Sequence, residues 1–529
     1  MPPPESAINE PYAKPGALDL WSFHKVMRWL VPLILFTISV SVLVGLHRSA
    51  GVHPQLGDEA GYLDLSVANN LSGQGKYLAS KEDVMPFTGN VLWHYLLAIT
   101  TKLIKDPVNA AYLLGYFFSL STLLVCVQIA RRLLGFQPYV IAALCFLALS
   151  PAMVYAATSG GPLALAMLLI ALALERHLGG LHGQRTVLPA SAALFIGLAM
   201  LIRIEFVLLW VIFWLHAGIA STMHWNKRLK AGVVATQGLT GLLICLVLVW
   251  PLINKNVLLI KVAWPAPVQM SSELLPRIVD SFSLLFASSI LGPIEGVLLL
   301  FGLVMAGYSL SAHRRQVASL LPILLATILP FSYALMSIFT GWQGAELVLY
   351  AFAPVYILTG VYGLFRFPGI IKAVNNGGGK GAIAGFAVLL LLIALIRIAV
   401  YADADLKQRK AFKTWQDQYV ALIEKQKLIG GICLTDQPGW IGYTGMQRPI
   451  DLTGRSSVAV LKCAYPPGGL DEAKIIELTR ARQPELLVLW QEAHYPLAER
   501  MEQAFGRRAV RELVPEHPKV LQIDWKRVP

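Results

Sequence analysis

Long apolar runs follow one another along most of this chain, and they limit the folds that it can adopt. A helix needs about 20 apolar residues to cross a bilayer. Only 14% of the residues are charged, against about 25% in soluble domains. The pattern predicts a polytopic α-helical membrane protein with about eleven to thirteen transmembrane helices. The runs cover 29–47, 109–130, 138–151, 162–178, 187–203, 204–222, 231–250, 286–310, 317–339, 347–365 and 382–401.

One further apolar run, 91–104, decides which side of the membrane each loop faces. It is short for a span and contains His94 and Lys102, so it is interpreted as an interfacial helix. Basic loops then fall on the side of the N-terminus, as the positive-inside rule requires. The net charge of +13 is explained by these loops, and no nucleic-acid partner is expected. They are 131–132, 182–185, 227–230, 313–315 and 366–380.

This topology predicts which polar segments are exported and how the chain divides into domains. A disordered cytoplasmic N-terminus (1–27) precedes a membrane domain (28–401) that contains the first external loop (48–108). The exported set adds 152–161, the turn at 203–205, the loop 251–285 and the turn 340–346. The tail, 402–529, is predicted to be an exported α/β domain. Its strands are expected at 432–436 and 485–490, its helices near 470–482 and 496–506, and Cys433 and Cys463 would be able to pair there.

The first external loop concentrates acidic residues in the stretch 56–77, LGDEAGYLDLSVANNLSGQGKY. Asp58 and Glu59 open a predicted helix, in which Leu63, Val67 and Leu71 recur on one face. Two roles remain open for Asp58: a cap at a helix N-terminus and a catalytic carboxylate. A metal site has no support from His or Asp spacing, although Asp58 and Glu59 together would be able to bind a divalent ion.

The motif GDExxYxxxAxxLxxGxxY in this loop resembles the GT-C superfamily of polytopic glycosyltransferases. The resemblance is to the bacterial branch related to protein O-mannosyltransferases and lipid A aminoarabinose transferases. Further similar stretches follow in the same order along the chain. They are MPFTGNVLWHYLLAI, LSPAM, GLAMLIRIEF, LYAFAPVYILTGVYGL, DQPGWIGYTGMQRPIDLTG and RQPELLVLW.

The resemblance implies an enzyme of the bacterial inner membrane, with a GT-C-like membrane domain, that uses a polyprenyl-phosphate-linked sugar as donor. The topology agrees, because nucleotide sugars are cytoplasmic and the acidic loop faces outward. Asp58 would be the general base for an acceptor hydroxyl of a glycan, lipid or protein, with inversion at the anomeric carbon. Glu59 would orient the acceptor, and Asp64 would support the loop. No cofactor is expected.

The leaving phosphate needs outward-facing cations. Arg203 interrupts two apolar runs at the external face, beside Glu205, and either binds the donor phosphate or forms a structural pair with Glu205. Lys81, His94 and Arg277 are the other expected phosphate ligands. Arg277 lies in the loop 251–285, which would serve as a lid or as an interfacial segment.

Two other functions compete with this interpretation. A transporter or flippase of lipid-linked sugars would need paired charges near the bilayer midplane and repeated halves. The runs carry few charges, and no repeat is evident. An envelope polysaccharide polymerase or ligase would share the outward loops without needing an Asp-Glu pair directly after the first span.

Overall fold

A computed structural model describes residues 23–528, and it is mainly helical. The gaps in this description are 54, 57–58, 76, 78–89, 135–137, 183–188, 223–230, 255–266, 287, 289–290, 313–319, 341–344, 366–378, 453–456, 458–459, 461–463, 466–468 and 515–517. The helices of the membrane domain are α1 (Phe23–Ser49), α2 (Glu59–Gln74), α3 (Val91–Ile104), α4 (Pro107–Leu134), α5 (Pro138–Ala148), α6 (Pro151–Thr158), α7 (Leu163–His182), α8 (Pro189–Met200), α9 (Val207–Thr222), α10 (Ala231–Asn254), α11 (Pro267–Phe286), α12 (Pro293–Ala312), α13 (Leu320–Thr340), α14 (Ala345–Tyr350), α15 (Ala353–Phe365) and α16 (Gly379–Gln426).

Helices that are long and apolar enough to cross a bilayer lie at both ends of this domain. Within the described residues, three meet that test: Leu30–Ser49, Pro107–Ala130 and Ala387–Gln426. A bent pair, 140–148 with 151–158, qualifies jointly, and six shorter apolar helices of 10–17 residues accompany them. The protein is therefore a multi-pass membrane protein; among the described residues, fewer helices reach full spanning length than the eleven to thirteen expected for the chain.

Close helix packing organises the bundle. α12 and α15 lie against each other, and a Cβ at Gly360 would lie 2.6 Å from the backbone of Leu298. Small residues let two helices approach this closely. In lipid, where the hydrophobic effect does not draw helices together, the close van der Waals packing stabilises their association. The segment 152–161, which the predicted topology assigns to the exported side, is mostly the buried helix α6. Ser150 caps that helix by accepting a hydrogen bond from the Met153 N–H.

The 48-residue helix α16 joins the membrane domain to the tail. At 1.5 Å per residue it is about 72 Å long, more than twice the thickness of a bilayer core. Its first half is apolar and its second half is charged. The domain boundary expected at 401/402 falls inside this one helix.

The tail carries a small α/β domain on the end of α16. Its elements are β1 (Ile432–Thr435), α17 (Pro438–Thr444), β2 (Arg448–Asp451), β3 (Ala464–Tyr465), β4 (Gly469–Leu470), α18 (Glu472–Arg482), β5 (Leu486–Leu489), α19 (Tyr495–Phe505), β6 (Val510–Val514) and β7 (Lys519–Ile523). The main sheet has the order β2-β1-β5-β7-β6. β1 pairs in parallel with β2 and β5, whereas β7 is antiparallel to β5 and β6.

Candidate active site

The acidic loop forms the helix that the sequence predicts. α2 begins at Glu59, and Leu63 and Val67 lie on its buried face. Asp58 and the side chain of Glu59 lie outside the described residues, as does Lys81. Their expected roles remain predictions, and the surrounding residues define the environment in which they would act.

A buried polar network joins α2 to α3. His94 has no exposed surface, and its Nε2 lies 2.6 Å from Asp64 Oδ1. Its Nδ1 lies 2.5 Å from the Tyr77 hydroxyl, and the Asn90 side-chain amide donates to the same Asp64 oxygen at 3.1 Å. Burial, together with the Asp64 charge, raises the pKa of Tyr77, which keeps the phenol neutral.

This network bears on the expected roles of Asp64 and His94. Asp64 holds the loop helix to α3, and its supporting role at the site stays a prediction. Both ring nitrogens of His94 are engaged, so a donor phosphate would reach the imidazole only after the network opens.

The helix α3 has the character of an interfacial helix. It has 14 residues, about 21 Å, and is too short to cross a bilayer core of about 30 Å. Tyr95, Ile99 and Leu103 are spaced four residues apart and are exposed on one side. Trp93 and Leu97 are fully buried on the other. The exposed apolar stripe fits contact with lipid at the membrane surface.

The turn after α8 lies beside the start of α3. The Asn90 N–H donates to the Ile202 carbonyl at 2.7 Å, and the Val91 N–H donates to the Leu201 carbonyl at 2.9 Å. Asn90 takes a left-handed conformation with φ of 61°, which Asn tolerates better than most residues. These bonds fix the start of α3 next to the turn that carries Arg203.

Arg203 and Glu205 form an ion pair in that turn. Arg203 Nη2 lies 2.7 Å from Glu205 Oε1, and its Nε lies 3.2 Å from Oε2. This two-point geometry is characteristic of arginine with a carboxylate. The Arg203 side chain is 13% exposed and that of Glu205 is 5% exposed. The structural pairing expected as one alternative is present.

Arg277 is half-buried on α11. α11 packs on α13, and Tyr333 of α13 interacts electrostatically with Arg203. Arg277 therefore lies on a helix that packs against α13, the helix whose Tyr333 interacts with Arg203. Leu275 and Val279 are exposed on the same helix, as in a segment that contacts lipid.

Metal ligands are not clustered in the part of the chain that the structure describes. No group of three or more His, Cys, Asp or Glu side chains is arranged there to hold an ion.

The tail domain contacts the acidic loop through α17. α17 packs on α2, and the ring of Tyr443 lies 5.5 Å from that of Tyr62. Trp415 of α16 packs between Trp440 and Trp490 from the domain. The carboxyl edge of β1 and β5 is thus held against α2. Ligands bind at such edges in many α/β sheets.

The end of β1 is stabilised by Asp436, which is fully buried. Its carboxylate accepts hydrogen bonds from the Trp490 and Gln491 N–H groups at 2.8 and 2.7 Å, and lies 3.0 Å from His494 Nδ1. This carboxylate ties the ends of two parallel strands together. Cys433 is a free, fully buried thiol within β1, and Cys463 lies outside the described residues.

The fold has counterparts among solved structures. The oligosaccharyltransferase AglB from Archaeoglobus fulgidus, in complex with an inhibitory peptide and a dolichol-phosphate, matches 96% of this chain and 75% of its own, with a TM-score of 0.55 and 14% identity. ArnT from Cupriavidus metallidurans in the apo state matches 94% of this chain and 97% of its own, with a TM-score of 0.51 and 14% identity. Both neighbours are GT-C glycosyltransferases. The protein has the GT-C fold.

This is the fold that the resemblance of the motifs implies. It also accounts for the helical membrane domain with a small sheet domain at its C-terminus. No protein-family model matches the sequence, and no curated protein matches it either. At 14% identity the likeness establishes the fold of the GT-C chain and leaves its reaction to be argued from its own residues.

Proposed function

We propose that the protein is a membrane glycosyltransferase. It transfers one sugar from a polyprenyl-phosphate-linked donor to a hydroxyl of a glycan, lipid or protein on the outer face of the bacterial inner membrane. The N-terminus is cytoplasmic and the tail domain is extracytoplasmic. The sugar is a hexose or a pentose.

One observation carries the proposal. The loop with the expected base and the turn with the expected phosphate ligand are separated by more than 100 residues, yet they are joined by main-chain hydrogen bonds from Asn90 and Val91. The proposed reaction needs the base and the phosphate ligand on opposite sides of the same anomeric carbon. Their independent prediction from separate motifs, together with this junction, favours a shared active site.

The chemistry follows from the residue types. The Asp58 carboxylate takes the proton from the acceptor hydroxyl as that oxygen attacks the anomeric carbon. The bond between this carbon and the donor phosphate oxygen breaks, and polyprenyl phosphate leaves with the electron pair. A single displacement of this kind inverts the anomeric centre. Glu59 orients the acceptor, while Arg203, Lys81 and Arg277 stabilise the phosphate charge. His94 joins them if its network opens.

Comparison with known proteins supports a lipid-phosphate donor. AglB, which shares the fold, has been solved with a dolichol-phosphate. An outward-facing site also agrees with such a donor, because the lipid carries the sugar across the membrane before transfer.

The reaction as written balances without a cofactor, and we propose that none is required. AglB has also been solved with zinc and sulfate, so metal dependence deserves a direct measurement. Transfer by the purified protein should be unchanged after treatment with EDTA. Loss with EDTA and recovery with one divalent ion would contradict this part of the proposal.

A transfer assay tests the proposed function. The purified protein in detergent is given polyprenyl-phosphate sugars and an envelope glycan acceptor. The proposal requires release of free polyprenyl phosphate together with a new glycosidic bond. In vesicles, movement of the intact sugar lipid without bond cleavage would instead support a flippase.

A further inference from the structure

The chain immediately before residue 58 is anchored by a buried arginine from the helix that carries the tail domain. Arg409 of α16 is 1% exposed. Its Nη1 donates to the Gln55 carbonyl at 2.5 Å and to the Tyr112 hydroxyl at 3.1 Å. Its Nη2 donates to the Thr158 carbonyl at 3.2 Å. One guanidinium therefore holds the first external loop, α4 and α6 in a fixed arrangement.

A negative charge balances the buried guanidinium. Asp405, one turn earlier on α16, accepts a hydrogen bond from Arg409 Nε at 2.9 Å. The same Asp405 oxygen lies 2.6 Å from Nε2 of His47, at the end of α1. Desolvation opposes ionisation of Asp405, but these two partners keep the carboxylate available as an acceptor. A buried charge is tolerated only when it is paired in this way.

Several other contacts converge on the same short segment. Lys413 Nζ donates to the Gly51 carbonyl at 2.7 Å, and the Tyr112 hydroxyl donates to the Gln55 carbonyl at 2.9 Å. Leu56 donates its N–H to the Tyr62 hydroxyl and packs against Gly160, where a Cβ would lie 2.6 Å from Leu56 Cδ2. Gly51, Gln55 and Leu56 are held on several sides, and α16 supplies the two cations described here, Arg409 and Lys413.

We propose that Arg409 is a positioning residue for the expected base. Gln55 precedes Asp58 by three residues, which span at most about 10 Å. Over so short a stretch, a shift of the Gln55 carbonyl is expected to be passed on to Asp58, and small misplacements of catalytic groups reduce rates strongly. This inference rests on the proposed function. It makes α16 a mechanical connection between the tail domain and the catalytic loop.

The test compares Arg409→Lys with a control substitution on the same helix. Arg409→Lys keeps the charge but loses the planar fork that reaches several acceptors at once. Lys407→Ala is the matched control, because Lys407 lies two residues before Arg409 on the same helix and forms an exposed pair with Asp403. Tyr112→Phe is a milder variant, which removes one of the two donors to the Gln55 carbonyl and keeps Arg409.

Two readouts separate positioning from a general loss of stability. We expect Arg409→Lys to lower kcat for sugar transfer by about tenfold or more and to change the donor KM by less than about twofold. Hydrogen exchange at the amides of 51–56 should be faster than in the Lys407→Ala protein. Tyr112→Phe should shift both readouts in the same direction by a smaller amount.

Other results would overturn the inference. An unchanged kcat in folded Arg409→Lys would show that the anchor does not position the base. A lower kcat with unchanged exchange at 51–56, in both Arg409→Lys and Tyr112→Phe, would do the same. Hydrogen exchange is measured without substrate, so it tests the anchoring even if the wild-type protein transfers no sugar. In that case, faster exchange in Arg409→Lys would support the anchoring, and the missing transfer would overturn the proposed function.

Discussion

The Asn90 N–H donates a hydrogen bond of 2.7 Å to the Ile202 carbonyl. This bond joins the start of α3 to the turn that carries Arg203 and Glu205. It places the end of the acidic loop beside that turn, as the proposed shared site requires. The charge pair in the turn, the network behind the loop and the tail domain can each be tested separately.

The Arg203–Glu205 pair combines a structural role with the proposed donor role, and two variants separate them. Arg203→Ala leaves the buried Glu205 carboxylate unpaired, which should cost about 3–5 kcal/mol of stability and weaken use of the lipid donor. The double variant Arg203→Ala with Glu205→Gln removes both charges. It should regain thermal stability without regaining donor use. Recovery of both would leave Arg203 with a structural role only.

The network behind α2 predicts a loss of stability when its acceptor is removed. Asp64→Ala leaves the His94 and Asn90 donors unsatisfied, at about 1–3 kcal/mol for each buried group. Thermal unfolding in detergent should show a clear decrease in Tm. Asn69→Ala, at an exposed position on the same helix, is the control and should change little. Equal Tm values for the two variants would rule out the network as a support of the loop.

Tyr62 gives a prediction that includes pH. Its hydroxyl accepts the Leu56 N–H, and burial raises its pKa to about 12. Tyr62→Phe should lower stability by about 1–3 kcal/mol, by an equal amount across pH 6–9, because the phenol is neutral there. Above about pH 10 the unfolded phenol loses its proton before the folded one does. The stability difference between the wild type and Tyr62→Phe should therefore shrink in thermal melts at alkaline pH. A difference that varies within pH 6–9 would contradict this account.

Cys433 reports on the tail domain. Burial raises the pKa of its thiol to about 12, so the reactive thiolate is scarce near neutral pH. In the folded protein at pH 8, Cys433 should remain unmodified by iodoacetamide, as read by peptide mass spectrometry. After denaturation it should react fully. Rapid labelling in the folded state, or a peptide linked through Cys433 to Cys463, would contradict a free buried thiol.

Much of the local structure was predictable from the sequence because its signals are local. Apolar spacing at Leu63 and Val67 predicts the helix that begins at Glu59. The length of 91–104 predicts a surface helix, and the apolar runs at 432–436 and 485–490 predict β1 and β5. Those expectations agree with the structure because periodicity and length are properties of one segment.

The contacts that assemble the site were not predictable in the same way. Arg409 and Gln55 are 354 positions apart, and nothing in the stretch DADLKQRKAF indicates which carbonyl an arginine will reach. The spacing of Asp405 and Arg409 indicates only a pair on one helix face. The strands β6 and β7 were not predicted. β6 is half exposed and lacks a continuous apolar run, so it gives no strand signal. Helix α6 was missed because its small residues resemble a connection.

The central claim is that Asp58 is the base for sugar transfer, and one comparison tests it most directly. Asp58→Asn and Glu59→Gln proteins are purified in detergent, checked for folding, and assayed for polyprenyl phosphate release and acceptor glycosylation. The account predicts that Asp58→Asn lowers kcat by about 10²–10⁴-fold with donor binding retained, while Glu59→Gln keeps much more activity. A folded Asp58→Asn protein that transfers sugar at near the wild-type rate would contradict it.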